Sequence, residues 1–211
     1  MASTSPRRVE LLKQLGVDFK VVPSGISEIH HGELTAREIS QINAYRKARA
    51  VAKKHPDSLV LGADTLVFIG TRVYGKPRDL EDAYRMLDEL QGRTHQVVTA
   101  VCLLHLRAHR QRIFVEESSV TFHQLDSLRI RRYLQKIEPL DKAGAYAAQE
   151  NGKDIIETVA GSYTNVVGLP LEILSRELQS WAGIPAFFPA APALLRARTA
   201  SPALGARSFA R

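Results

Sequence analysis

Apolar residues fall at two spacings along this chain, and the alternation between them predicts its elements. Val9, Leu11, Leu12 and Leu15 recur at helical spacing behind Ser5, a good N-cap, and Pro6, which suits the first helical position, with Gly16 as the stop. Residues 17–23 alternate as a strand that Pro23 ends. Thr35 and Glu38 have capping-box spacing, so a helix should follow from Thr35. Within it Ala44, Ala48, Val51 and Ala52 form a small-residue face that can pack closely and lets the adjacent Lys47 be directed inward. Residues 59–69 are almost continuously apolar, as in a buried strand pair or one long bent strand, and Gly70 begins a turn. A helix starts at Asp79 with Leu80, Ala83, Leu87 and Leu90 on one face and stops at Gly92. Two long strands, 96–106 and 112–122, follow as a hairpin. A helix over 127–136 ends at Glu138-Pro139, short strands fall near Tyr146 and over 155–159, and a last helix begins at Pro170 with Leu171, Leu174, Leu178 and Trp181 on one side. This order of helices and hairpins predicts an α/β fold, a mixed twisted sheet flanked by helices.

Composition narrows the function classes. The chain has 211 residues, 45% hydrophobic and 24% charged, ordinary for a globular protein large enough to bury a core. It has no apolar run of membrane-spanning length and no secretory leader, so no membrane partner and a cytoplasmic location are expected. The single cysteine, Cys102, lies in an apolar run and reads as a small buried hydrophobe. After Pro185 the composition shifts to Ala, Pro, Leu and Arg, so a folded domain over 1–185 and a disordered or loosely attached tail over 186–211 are expected. The tail holds Arg196, Arg198, Arg207 and Arg211 and no acid, so four of the net +7 belong to it and the body carries +3. A mildly basic body without a basic stripe interleaved with aromatics suits a small anionic ligand and argues against nucleic acid as a partner.

The candidate chemistry lies in a few dense segments. Ser3, Thr4, Ser5, Arg7 and Arg8 cluster at a helix start, where free N–H groups and guanidiniums suit a phosphate. Asp64 is a carboxylate inside a strand-like apolar run, so it must be paired, bound to a cation or chemically active, or be satisfied by backbone N–H groups at a bend. Residues 70–76 spell G-x-x-x-x-G-K, but Pro77 replaces the hydroxyl residue that a phosphate-binding loop needs and the helix starts later. Lys76 therefore stays a candidate phosphate contact on a turn, or an exposed turn lysine. Segments 141–146 and 161–170 combine small and polar residues that permit close approach of a ligand. Gln149 has the donor and acceptor that a pyrimidine edge requires, and is otherwise a surface glutamine. His30-His31 and His105/His109 lack zinc-site spacing, and no serine-hydrolase elbow occurs.

Taken in order, Ala2 to Arg8, Gly62-Ala63-Asp64-Thr65, Gly75-Lys76-Pro77, Gly92-Arg93-Thr94-His95, Asp141 to Tyr146 and Val166 to Pro170 resemble the Maf family of nucleotide pyrophosphatases over roughly residues 2–182. The resemblance implies an inosine triphosphatase-like fold with two lobes around a central cleft, commonly a homodimer. It implies hydrolysis of a nucleoside triphosphate substrate between the α and β phosphates, aided by a divalent cation, Mg²⁺ or Mn²⁺. By position it makes Asp64 the catalytic proton acceptor. Ser3, Arg7, Arg8, Lys47 and Lys76 become substrate-cleft residues, and Glu28 their acidic partner, a metal ligand together with Asp64. Arg8, Thr65 and Gln149 are similar to the branch acting on dTTP, UTP and related modified pyrimidine nucleotides. The 7-methyl-GTP branch would carry an aromatic residue, Gln and an acid there, which suits a cationic base. A non-catalytic role in septum formation and cell division is the other alternative that the family suggests. Such relatives also carry a short apolar strand before the Ala-Ser, where this chain has Met1, so a shortened first strand or an upstream start is expected.

Overall fold

The computed structural model describes residues 1–30 and 32–181. The expected tail over 186–211 and the end of the expected domain lie outside the described residues. In chain order the elements are α1 (Pro6–Lys13), α2 (Ala36–Ala52), β1 (Leu59–Ile69), β2 (Arg72–Tyr74), α3 (Leu80–Leu90), β3 (Thr94–His105), β4 (Arg110–Phe122), α4 (Ser127–Leu134), β5 (Ile156–Ala160), α5 (Tyr163–Val167) and α6 (Leu171–Ser180). The strands form one sheet in the order β2-β1-β3-β4-β5.

The apolar run at 59–69 is a single long strand, and alternation along it separates two faces. Val60, Gly62, Asp64 and Leu66 face α2, packing with Ala100, Cys102 and Leu104 of β3 under the small-residue face of Ala44 and Ala48. A Cβ on Gly62 would lie 2.7 Å from Ala48 N, so only glycine allows the helix to sit this close. Burial raises the Cys102 thiol to about 12, as befits a packing residue. On the opposite face Leu61, Ala63, Val101 and Leu103 pack against α1 and α6, while Val67, Val97, Val120 and Phe122 pack against α3 and α4. Two separate apolar clusters on this face are the cores of two lobes, and the cleft runs between them.

Local signals hold where the chain itself supplies the partner. Thr35 and Glu38 make both hydrogen bonds of the capping box, and the Asp79 carboxylate accepts from Asp82 N at 2.7 Å. Ser5 occupies the N-cap position of α1 with no side-chain cap bond; its own N–H donates to Ser3 Oγ at 3.2 Å. Leu80, expected on the buried face of α3, is 60% exposed because the first residue of the helix projects past the lobe's core.

Two expected strands are absent among the described residues, and one short helix was not expected. Residues 17–23 form no strand, because among the described residues their one ladder-like partner is Met1: the Met1 ammonium donates to Lys20 O at 2.6 Å and Val22 N donates to Met1 O at 3.0 Å. That is the pattern of a parallel pair. It is the parallel element of an otherwise antiparallel set, since all four strand pairings are antiparallel. Around Tyr146 there is no strand but a preceding 3-10 turn over Ala143–Ala145, with Gly144 N donating to Gly75 O at 3.0 Å. Segment 161–170 contains α5, which the sequence pattern did not reveal. It is only five residues long, and its cap is Ser162 Oγ accepting from Asn165 N.

The edge of β1 explains where the cleft opens. Ala2 N donates to Leu61 O at 2.7 Å, and β2 pairs from Val67 onward. Residues 62–66 are left between these two pairings, so Asp64 and Thr65 sit at a gap in the sheet edge.

Candidate active site

A cleft of about 470 Å³, within the usual range for small-molecule sites, opens at this gap. Its walls come from the N-terminal segment and start of α1, the loop before α2, β1, the Gly75-Lys76 turn, and segments 141–149 and 166–168. Ser3, Arg7, Arg8, Glu28, Lys47, Asp64, Thr65, Lys76 and Gln149 all line it. The residues singled out in six separated segments therefore meet in one place.

Its centre is a buried charge cluster. The close seat of α2 on Gly62 brings Lys47 over β1, where Nζ lies 2.6 Å from Asp64 Oδ1, 2.6 Å from Glu28 Oε1 and 3.5 Å from Ala63 O. Asn43, one turn earlier on the same helix face, donates from Nδ2 to Asp64 Oδ2 at 3.2 Å. Its amide also holds the loop before α2, accepting from Ile29 N at 2.9 Å and donating to Ile29 O at 3.2 Å. Lys76 is half exposed, with Nζ 3.6 Å from Glu28 Oε1.

Two carboxylates share one buried ammonium, and burial decides how they differ. Desolvation raises the Asp64 pKa despite the attraction of Lys47, with the Glu28 charge adding to the rise. At Glu28, desolvation is weaker and is outweighed by Lys47, Lys76 and Arg8, so its carboxyl is held well below the usual range. The pair thus separates into a fixed anion and a buried carboxylate of raised basicity, a division suited to acid–base chemistry.

Arg8 is anchored on the other side of the gap. Its Nε donates to Gly168 O at 2.8 Å and its Nη2 to Thr65 Oγ1 at 2.8 Å. Arg7 reaches across the cleft to Asp141, with Nη1 3.3 Å from Oδ2, joining α1 to the other lobe. Lys142, almost fully buried, holds Asp141 Oδ1 at 2.7 Å and Glu138 O at 2.6 Å. Desolvation at Asp141 is offset by Lys142 and Arg7, which lower its pKa.

Sequence reasoning missed Asn43, Asp141 and Lys142 as individual site residues. Asn43 had a signal, its four-residue spacing from Lys47 on one helix face. Asp141 and Lys142 lie in a segment singled out as dense, but nothing local assigns Asp141 its partner Arg7, 134 residues away.

Glu28 and Asp64 converge on a cation, the Lys47 ammonium, and offer oxygen donors only. That is the donor class of Mg²⁺, which is bound by one or two carboxylates and completed by water and substrate phosphates, so the residues fit such an ion. Among the described residues no group of three or more His, Cys, Asp or Glu forms a cage for a metal. Nor, among them, is any helix long and apolar enough to cross a membrane.

An α/β fold with a cation-rich cleft and a buried carboxylate at a sheet-edge gap defines a protein that receives a small anionic ligand. The chain belongs to the Maf family: the family model described as Maf-like protein matches residues 1–181. It is 45% identical over 181 residues to the dTTP/UTP pyrophosphatase of Pelotomaculum thermopropionicum, covering 86% of this chain and 95% of that one. It is likewise 45% identical over 188 residues to the dTTP/UTP pyrophosphatase of Acetivibrio thermocellus, covering 86% and 94%. Among solved structures the Staphylococcus aureus Ham1 protein is similar, with 16% identity, a TM-score of 0.49 and coverage of 85% of this chain and 97% of that one.

Proposed function

We propose that this chain is a nucleoside triphosphate pyrophosphatase acting on dTTP, UTP and related modified pyrimidine nucleotides, removing them from the nucleotide pool. The observation that carries the reading is Asp64: a buried carboxylate of raised pKa, bound by Lys47 and Asn43, at the floor of a cleft whose walls carry Arg7, Arg8 and Lys76. The family membership and the dTTP/UTP pyrophosphatase relatives support the substrate class.

In this reading the triphosphate lies along Ser3, Arg7, Lys47 and Lys76, whose charges offset its own and the charge that builds at the α-phosphorus. A water attacks that phosphorus. Its proton passes to Asp64, the new P–O bond forms, the bond to the α–β bridging oxygen breaks, and pyrophosphate leaves with that oxygen. Glu28 and Asp64 would hold a Mg²⁺ or Mn²⁺, which supplies charge neutralisation at the phosphates and a more acidic water. Arg8, Thr65 and Gln149 face the nucleobase. An arginine at this wall disfavours a cationic base such as 7-methylguanine.

The test is pyrophosphate release by the purified chain with Mg²⁺ or Mn²⁺ over a nucleotide panel, repeated after chelation. Release from dTTP and UTP, lost with chelator, is expected; release from 7-methyl-GTP alone would overturn the substrate assignment. A homodimer in the cytoplasm belongs to the same reading on the family resemblance, and light scattering that returns a monomer mass would remove the dimer.

A further inference from the structure

Behind Arg8 two hydroxyls, half-buried Thr65 and buried Thr99, run from the cleft into the core with proton directions fixed by chemistry. Thr65 Oγ1 is 3.0 Å from Thr99 Oγ1, and Thr99 Oγ1 donates to Asn165 O at 3.1 Å. A backbone carbonyl only accepts, so the single Thr99 proton is committed to Asn165 O. Thr65 must then donate to Thr99, and it receives the Arg8 Nη2 proton through a lone pair. The chain of donors runs one way, from Arg8 to Thr65 to Thr99 to Asn165.

The far end of the chain is held rigidly. Thr99 and Asn165 are fully buried, and Asn165 Nδ2 donates to Val97 O at 3.0 Å and to Ser118 Oγ at 2.9 Å, whose own proton goes to Ser162 O at 3.0 Å. Asn165 O and Gly168 O, which receive Thr99 and Arg8, lie three residues apart at the end of α5. Gly168 has φ +123°, a backbone conformation that favours glycine, and its Cα lies against Thr65 and Arg8.

We infer that Thr99 is a specificity-determining positioning residue, which locks the Thr65 proton inward so that the cleft wall offers donors from Arg8 and only a lone pair from Thr65. This deepens the proposed pyrimidine nucleotide function and rests on Arg8 and Thr65 facing the base. A wall of that polarity accepts the keto-imide edge of uracil or thymine, whose carbonyls take protons and whose N3–H gives one. It rejects cytosine, whose 4-amino group would meet Arg8 donor to donor and whose N3 would meet a lone pair. Unpaired polar groups of this kind are what make hydrogen-bonding sites selective.

The experiment compares UTP with CTP, which differ only at that edge, for wild type, Thr99→Val and Thr99→Ser. Wild type should favour UTP in kcat/KM at least tenfold. Thr99→Val, close in shape but without the hydroxyl, frees the Thr65 proton to turn into the cleft, and the preference should fall toward unity mainly through KM. Thr99→Ser should restore it. An unchanged UTP:CTP ratio in folded Thr99→Val, or no rescue by serine, overturns the inference. Should Thr99→Val fail to fold, titration of wild type with UMP and CMP decides, since equal affinities overturn it as well. A wild type that binds UMP over CMP but releases no pyrophosphate would overturn the proposed reaction and leave the base discrimination standing.

Discussion

Lys47 Nζ lies 2.6 Å from Asp64 Oδ1, with both side chains buried in the wall of the cleft. Lys47 also binds Glu28, so the Asp64 carboxylate receives only part of one charge and the burial cost keeps its pKa raised. The pair is therefore both a structural tie between α2 and β1 and the source of a basic carboxylate.

Replacing that base while keeping its shape separates the two roles. Asp64→Asn should lower turnover of dTTP by about 10²- to 10⁴-fold, the usual contribution of a positioned base. Nucleotide affinity, measured by calorimetric titration, should stay within a few-fold. Full activity in the variant would remove Asp64 from the reaction.

Removing the cation has the larger structural effect. Lys47→Met leaves two carboxylates without their shared partner, one of them buried, which should destabilise the fold by about 3–5 kcal/mol in urea unfolding. Adding Asp64→Asn to that variant should recover part of the loss, because the buried charge is then absent. Independent, additive losses would contradict the coupling.

Gly62 sets the distance that makes the pair possible. In Gly62→Ala the new methyl meets Ala48 N at 2.7 Å and presses on Ala44 O, both backbone atoms that cannot rotate away. The helix must lift, so stability should fall by about 2 kcal/mol or more, and activity should drop further than stability explains, since Lys47 and Asn43 ride on α2. Wild-type activity in a folded Gly62→Ala protein would show that the seat of α2 is not critical.

Tyr133 latches the segment that carries Gln149. Its hydroxyl accepts from Ala147 N at 3.0 Å and donates to Ala147 O at 3.2 Å. Tyr133→Phe leaves two buried backbone groups unpaired, costing about 1–3 kcal/mol. Freed from that latch, Gln149 should shift KM for dTTP more than kcat, and an unchanged KM would separate the latch from substrate binding.

His95 gives the fold an acid sensitivity away from the cleft's charge cluster. It is fully buried, with Nε2 2.9 Å from Tyr146 Oη and its ring edge-on to Phe122. Desolvation lowers its pKa to about 4. The unfolded chain, with a histidine pKa of about 6.5, binds the proton first, so stability present above that value is lost progressively as pH falls toward 4. The loss should approach about 3 kcal/mol over that interval. His95→Gln should flatten this part of the stability–pH curve, and an equal slope in the variant would assign the acid sensitivity elsewhere.

Local signals in the chain carried most of the elements because the groups that satisfy them are neighbours in sequence. Thr35 and Glu38, Asp79 and Asp82, and the apolar faces of α2 and α6 needed no distant partner. Residues 17–23 alternate as well as any strand, yet alternation reports a half-buried surface and not a ladder, and among the described residues only Met1 pairs with them. Helix α5 escaped notice because five residues are too few to show a period.

By itself the sequence determined the helices other than α5, the hairpin of β3 and β4, the burial of the 59–69 run and the residue types available for phosphate chemistry, since each depends on spacing along the chain. Only the tertiary structure decided that Glu28, Lys47 and Asp64 share one ammonium, that Arg7 crosses to Asp141, and that Arg8, Thr65, Thr99 and Asn165 form one directed line. Those relationships depend on how closely α2 sits on Gly62 and where α5 turns at Gly168. Such distances come from packing between segments far apart in sequence, and no local pattern encodes them.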